Sequence, residues 1–345
     1  MANRSGDVDQ QASDRTTPST RAVGATLPGV ALVGLAAALW GTDGLFRRGL
    51  ALELPAATVV AWEHAILVLL LTPFLARAWR TWRTMPARDR VAVAVIGFGA
   101  SAIATTLFTA AFRFGDPVTP LLLQKLQPLI AVAGAHLLLG ERQSPRYWWF
   151  LAGGLGGAWL ITFADPTGIT VPAAVAGAFA VGAATLWGLG TVLGRGLATH
   201  VPFTELTTMR FAFGLPAAAV TAVAIDGPGA LAITGGEVGP LVALALVPGL
   251  AGLLLYYRGL RTTPASAATI AELTFPLTAI ALGAVVFGST LTVTQWMGAG
   301  LLVATITVMA LLARRGNRGV GIEQRRPPVV GRDGPLSQPE PAGAR

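Results

Sequence analysis

Four charged side chains stand inside stretches that are otherwise apolar: Glu63, Lys125, Arg210 and Glu272. A charge at the centre of a membrane helix costs about 2.5–3.5 kcal/mol on insertion scales, so each must be paired, wetted or put to use. Each lies about seven or eight residues from the start of its apolar run, or roughly 11 Å along a helix axis. If the helices of Glu63 and Lys125 run one way and those of Arg210 and Glu272 the other, two acid–base pairs result. There is one pair in each half of the membrane, with signs exchanged, and opposite charges at one depth offset each other's desolvation. Such pairs could gate a passage by forming and breaking, line it without gating, or simply hold helices together.

Proline cannot donate to the carbonyl four residues earlier. Pro128 therefore deprives the Gln124 carbonyl of its usual partner, and Pro276 does the same to Glu272. Both carbonyls belong to residues with polar side chains, which suits a hinge facing a wet cavity or a packing kink shared by both places. Trp40 and Trp187 offer flat faces for stacking on a solute, or for ordinary packing. Glu272 is the first choice for a proton-coupling carboxylate, since protonation in a poorly hydrated cavity would loosen its hold on a nearby arginine. His64 and His136 lack partners at metal-ligand spacing, so buried hydrogen-bonded roles are expected, with no metal or other cofactor. Asp43 reads as a solvated acid near a helix end.

Membrane helices must position these residues. The chain is 53% hydrophobic and 12% charged, against about 25% charged in soluble domains, and its mean hydropathy is +0.62. A span needs roughly 20 apolar residues. Stretches of that kind fall at 27–46, 56–76, 90–112, 117–139, 145–164, 172–194, 203–225, 237–258, 264–287 and 292–313. Trp40-Gly41, Arg48-Gly49-Leu50 and Pro55 recur as Trp187-Gly188, Arg195-Gly196-Leu197 and Pro202, and Pro128 recurs as Pro276. Two copies follow, 27–165 and 170–313, between a polar tail over 1–26 and a basic tail over 314–345. Both tails are expected to be disordered and cytoplasmic. An odd number of spans per copy turns the second upside-down. The expected fold is thus an all-α integral membrane protein, ten transmembrane helices in two inverted five-helix repeats.

With both termini in the cytoplasm, Arg77, Arg80, Arg83, Arg88, Arg90, Arg142, Arg146, Arg195, Arg258 and Arg261 fall inside, and only Arg47, Arg48 and Arg113 outside. That is the positive-inside pattern of a multi-pass inner (plasma) membrane protein. The net charge of +8 therefore reports topology, and no nucleic-acid partner is expected. Trp79, Trp82, Tyr147, Trp148 and Trp149 are expected as interfacial anchors on the inner side.

In order and spacing these features resemble the EamA-type repeat of the drug/metabolite transporter superfamily, over most of 27–313. The likeness is carried by Trp40-Gly41 and Trp187-Gly188 midway along the first helix of each copy, and by Arg210-Phe211 in the second copy. Phe112-Arg113 and Leu260-Arg261 precede the fourth helices, which contain Leu126-Gln127-Pro128-Leu129 and Thr274-Phe275-Pro276-Leu277; Leu138-Leu139-Gly140-Glu141 closes the first of these. Ser289 departs from the family's second Glu, and Glu63 stands where its first copy often has Arg. The resemblance implies ten helices around a central cavity, export or exchange of small metabolites, and no nucleotide hydrolysis.

Function classes then narrow. No GxxxxGK loop exists and the only lysine is Lys125, which excludes an ATP-driven pump. Ser101 and His136 suggest an intramembrane hydrolase by type alone, but the second copy keeps neither, so no enzyme is expected; a channel is a similarly distant alternative. The expected function is secondary transport by alternating access, exporting or exchanging a small polar metabolite. The mix of Glu, Lys and Arg suits an amino acid or related zwitterion, with a multidrug or organic-cation exporter as the alternative. Expected partners are the small-molecule substrate, the lipid bilayer and, as a candidate coupling ion, the proton, in a monomer or homodimer. The pathway set is Trp40, Glu63, Gln124, Lys125, Trp187, Arg210 and Glu272, with Pro128 and Pro276 as hinges.

Overall fold

A computed structural model describes residues 27–139, 145–165, 167–197, 200–260, 271–272 and 274–323. All regular structure among the described residues is helical. The first copy runs α1 (Leu27–Gly41), α2 (Asp43–Glu53), α3 (Ala56–Leu70), α4 (Thr72–Thr84) and α5 (Ala87–Val95), then a π-helical stretch (Ile96–Ile103) and α6 (Ala104–Ala111). It closes with α7 (Val118–Leu123), α8 (Gln127–Leu139) and α9 (Pro145–Thr162). The second copy has α10 (Val171–Leu197), α11 (Phe203–Asp226) and α12 (Gly235–Leu244), a second π-helical stretch (Ala245–Ala251), and α13 (Gly252–Leu260). Two further helices, α14 (Thr274–Phe287) and α15 (Val293–Glu323), complete it.

Among the described residues five runs are long and apolar enough to cross a bilayer: Pro28–Glu53, Ala87–Ala111, Val171–Gly194, Phe203–Asp226 and Gly235–Tyr256. α3 and α4 pass that test only as a pair, bent by 92°, while α14 and the first part of α15 are shorter apolar helices. Packing repeats as the sequence does. α1 packs on α13 and α14, and its counterpart α10 packs on α6 and α8. α3 lies on its own counterpart α11, and α9 on α15. Exchange of this kind is what a two-fold axis produces. With an odd number of spans in each copy the axis lies in the membrane plane, and the copies are inverted.

The Trp-Gly motif has a steric reason. A Cβ on Gly41 would stand 2.8 Å from the Phe275 carbonyl oxygen, and one on Gly188 would stand 3.2 Å from that of Gln127. Glycine thus lets α1 and α10 rest on the backbone beside Pro276 and Pro128. At Pro128 a 3₁₀ turn, Gln124–Leu126, interrupts the fourth span, and the Gln127 N–H donates to the Gln124 carbonyl. In the ninth, the Phe275 N–H donates to the Glu272 carbonyl at 3.1 Å. The carbonyl that each proline gives up is therefore taken by the residue just before that proline.

Three expectations change. Residues 77–84, expected as a loop, are helical in α4. The first span does not stop at 46: α2 carries Arg47 inside the helix, not outside it in a loop. α15 continues to Glu323, so the tail expected from 314 begins as helix. Residues 1–26, 261–270 and 324–345 lie outside the described residues, as do Gly140 and Glu141 of the resemblance.

Candidate functional site

Trp40 comes from the end of α1 and Trp187 from the matching place in α10. Both are half-buried and rest on one cluster that includes Ala37, Phe108, Phe112, Ala183 and Phe275. Each meets a ring from the other copy: Trp40 lies 4.8 Å from Tyr256, and Trp187 5.2 Å from Phe108, between centroids. Tyr256 and Phe108 are themselves counterparts, so the two aromatic pairs obey the two-fold. Trp40, Trp187 and Tyr256, which are only half-buried, present ring surface on which another flat ring can stack, while Phe108 is buried behind Trp187.

Polar groups surround them. The Tyr256 hydroxyl donates to Glu272 Oε1 at 2.6 Å. Lys125 Nζ sits 4.2 Å from the Phe275 ring centroid, and the Glu272 charge acts on it electrostatically. Gln127 Nε2 donates to Thr191 Oγ1 at 3.1 Å. Gln124 is half-buried beside Lys125.

Glu63 pairs with Arg47, not with Lys125. Arg47 is 2% exposed. Its Nη1 donates to Glu63 Oε2 at 3.0 Å and its Nη2 to Oε1 at 3.2 Å. Nε and Nη2 reach Asp43 Oδ1 and Oδ2 at 2.6 and 2.9 Å, and Nη1 also reaches Thr109 Oγ1 at 2.9 Å. A planar fork with several donors is suited to bridging two carboxylates. Asp43, expected as solvated, is thus a partner of Arg47. Their four-residue spacing on one helix face is the sequence signal that points to the cluster.

Arg210 donates from Nε to Ser101 Oγ at 3.3 Å and from Nη2 to the Ala100 carbonyl at 3.2 Å. Ser101 Oγ and His64 Nε2 are 2.8 Å apart, as are His64 Nδ1 and the Val60 carbonyl. A carbonyl only accepts, so Nδ1 bears the proton and Nε2 accepts from the serine. His64 is buried and hydrogen-bonded, and its ring meets Phe211 edge-on at 5.3 Å. His136 makes an edge contact with Trp148. Tyr147, expected as an anchor, is buried and donates to the Leu129 carbonyl. No group of His, Asp and Glu that could hold a metal occurs among the described residues.

The copies differ at one end. In α10, Gly190 and Gly194 occupy the places of Asp43 and Arg47, and a Cβ on Gly194 would meet nothing within 4 Å. The buried arginine and its aspartate therefore have no counterpart in the second copy, where a Cβ on Gly190 would stand 2.4 Å from that of Ala100 and Arg210 takes the place of Glu63. A cavity of about 500 Å³, lined by residues including Arg48, Asp116, Ser289 and Gln295, opens near the turns at Gly115 and Gly288; its lining does not include either tryptophan.

The EamA-like transporter family matches this chain twice, over residues 27–163 and 175–311. The chain belongs to that family. It is a transporter and not an enzyme, built as a multi-pass membrane protein of the drug/metabolite transporter kind. It is similar to the riboflavin transporter ImpX of Fusobacterium nucleatum, 31% identical over 83% of this chain and 98% of the relative. A riboflavin transporter of Rhizobium johnstonii is 29% identical over 88% of this chain and 97% of its own. The uncharacterized transporter YwfM of Bacillus subtilis is 26% identical over 60% of this chain and 69% of its own. A solved crystal structure shares the fold at a TM-score of 0.54, with 24% identity, covering 83% of this chain and 98% of that one.

Proposed function

We propose that this EamA-like transporter moves a flat, polar aromatic solute of the flavin class by alternating access, in an inner (plasma) membrane with both termini cytoplasmic. The observation that carries this reading is the symmetric pair of aromatic contacts, Trp40 with Tyr256 and Trp187 with Phe108. A flavin ring has a broad face for such walls and a polar edge that needs donors and acceptors. Gln124, Gln127, Lys125 and Glu272 supply them. Two relatives aligned over nearly their whole length bear the name riboflavin transporter. In this reading Pro128 and Pro276 are the hinges, and the Arg47 cluster closes the outer half.

In proteoliposomes, radiolabelled riboflavin should exchange saturably. Trp40→Ala or Trp187→Ala should raise the half-saturating concentration about tenfold, the upper range for losing a ring contact. Unchanged kinetics in both variants would overturn the aromatic site. A second reading, an amino acid or related zwitterion, rests on one cation and one carboxylate from opposite copies beside the aromatic walls, Lys125 over the Phe275 ring and Glu272 held by Tyr256. Labelled amino acid that exchanges where riboflavin does not would decide for it. Glu272 is the candidate for proton coupling, so a pH gradient should drive accumulation in wild type and not in Glu272→Gln.

A further inference from the structure

α4 departs from α3 at 92°. Where α3 follows the membrane normal, a helix at a right angle to its cytoplasmic end runs parallel to the membrane surface, as interfacial amphipathic helices do. Its composition suits that place. Ala78, Trp82 and Met85 face inward and pack with Leu197, Val201 and Met209, which belong to α10, α11 and the turn between them. The opposite face exposes Arg80 and Arg83, and Arg77 lies at the edge between the two faces. Beside them Trp79 is 54% exposed and stacks on Trp82 at 4.9 Å, and Phe74 is 41% exposed.

Two acids near this end, among the described residues, are already engaged. Arg77 Nε and the Thr81 hydroxyl both donate to Glu205, which is buried in the first turn of α11. Asp89 takes His200 at 2.9 Å and Arg88 at 3.4 Å. Arg90 lies over the Trp82 ring at 5.7 Å. Among the described ion pairs Arg80 and Arg83 have none. Exposed cations are thus left next to exposed aromatic rings, on a helix held flat.

We propose that α4 lies in the headgroup layer and binds acidic phospholipid headgroups through Arg80 and Arg83, with Trp79 at the acyl boundary. Lipid fits better than a soluble anion because the apolar rings flank the arginines on the same exposed surface. The arginine asymmetry places this layer in the cytoplasmic leaflet. Glu205 joins α4 to α11, the helix that carries Arg210, so headgroup binding also steadies a pathway helix.

The test needs no knowledge of the solute. The full chain is placed in vesicles containing either brominated phosphatidylglycerol or brominated phosphatidylcholine, and Trp79 quenching is taken as wild type minus Trp79→Phe. The acidic lipid should quench preferentially. That preference should fall about fivefold for each arginine lost in Arg80→Gln/Arg83→Gln, and remain in Arg80→Lys/Arg83→Lys. These side chains are exposed, so α4 keeps its docking contacts in both variants. Equal quenching by the two lipids in wild type, or an undiminished preference in the glutamine variant, would overturn the proposal.

Discussion

Arg47 holds two carboxylates, and its removal strands both in a buried place. Breaking a buried pair from one side costs about 3–5 kcal/mol, whereas replacing all its members by neutral groups is often close to neutral. Arg47→Met should therefore lower the thermal midpoint in detergent far more than the triple variant Asp43→Asn/Arg47→Met/Glu63→Gln. If the triple variant unfolds as early as the single one, unsatisfied charge is not the cause. The four intramembrane charges were legible from the sequence, and the partner of Glu63 was not. Matched depth is one coordinate, while adjacency needs three, so Glu63 and Lys125 were a plausible pair that the helix rotations separate. Hydropathy also ends the first span before Arg47, since a buried arginine lowers the apolar average just as a loop does. Only the spacing from Asp43 to Arg47 could have placed it inside.

The elements that pack on one another's backbone were the more readable ones. Trp-Gly and the prolines recur in the sequence because α1 meets the kink of α14 as α10 meets the kink of α8. Gly41→Ala should cost about 1–3 kcal/mol, the usual range for forcing a methyl into a filled site. Gly49→Ala, where a Cβ meets nothing within 4 Å, should be neutral or slightly stabilising. Equal midpoints for the two variants would mean that α1 is free to move away from α14. The bend before α4 was hidden, because composition records how apolar a stretch is and not where it points. The π-helical stretches Ile96–Ile103 and Ala245–Ala251 were hidden likewise: a widened turn leaves no compositional mark. Their occurrence at matching places in both copies makes them inherited features of the third and eighth spans.

At the scale of the molecule the two-fold is broken where it bears on transport. A carrier with identical halves would have no preferred resting side. Here Asp43, Arg47, Glu63 and Thr109 form an ionic cluster in one half, while in the other the places of Asp43 and Arg47 are taken by Gly190, packed against Ala100, and Gly194, with nothing near its Cβ position. The chain contains no cysteine, so single introduced thiols report access without background. Gly194→Cys should react quickly with a membrane-impermeant maleimide. Thr109→Cys, whose position is fully buried beside Arg47, should react slowly. The nucleophile is the thiolate, which forms in water and not in lipid, so fast labelling also separates a wet passage from a lipid-facing groove. Adding a transported solute should narrow the gap by populating the opposite arrangement, as ligand-driven exchange between two states requires. Equal rates at both positions in the solute-free protein would show that the ionic cluster is no barrier to water, and the preferred closure of that half would have to be abandoned.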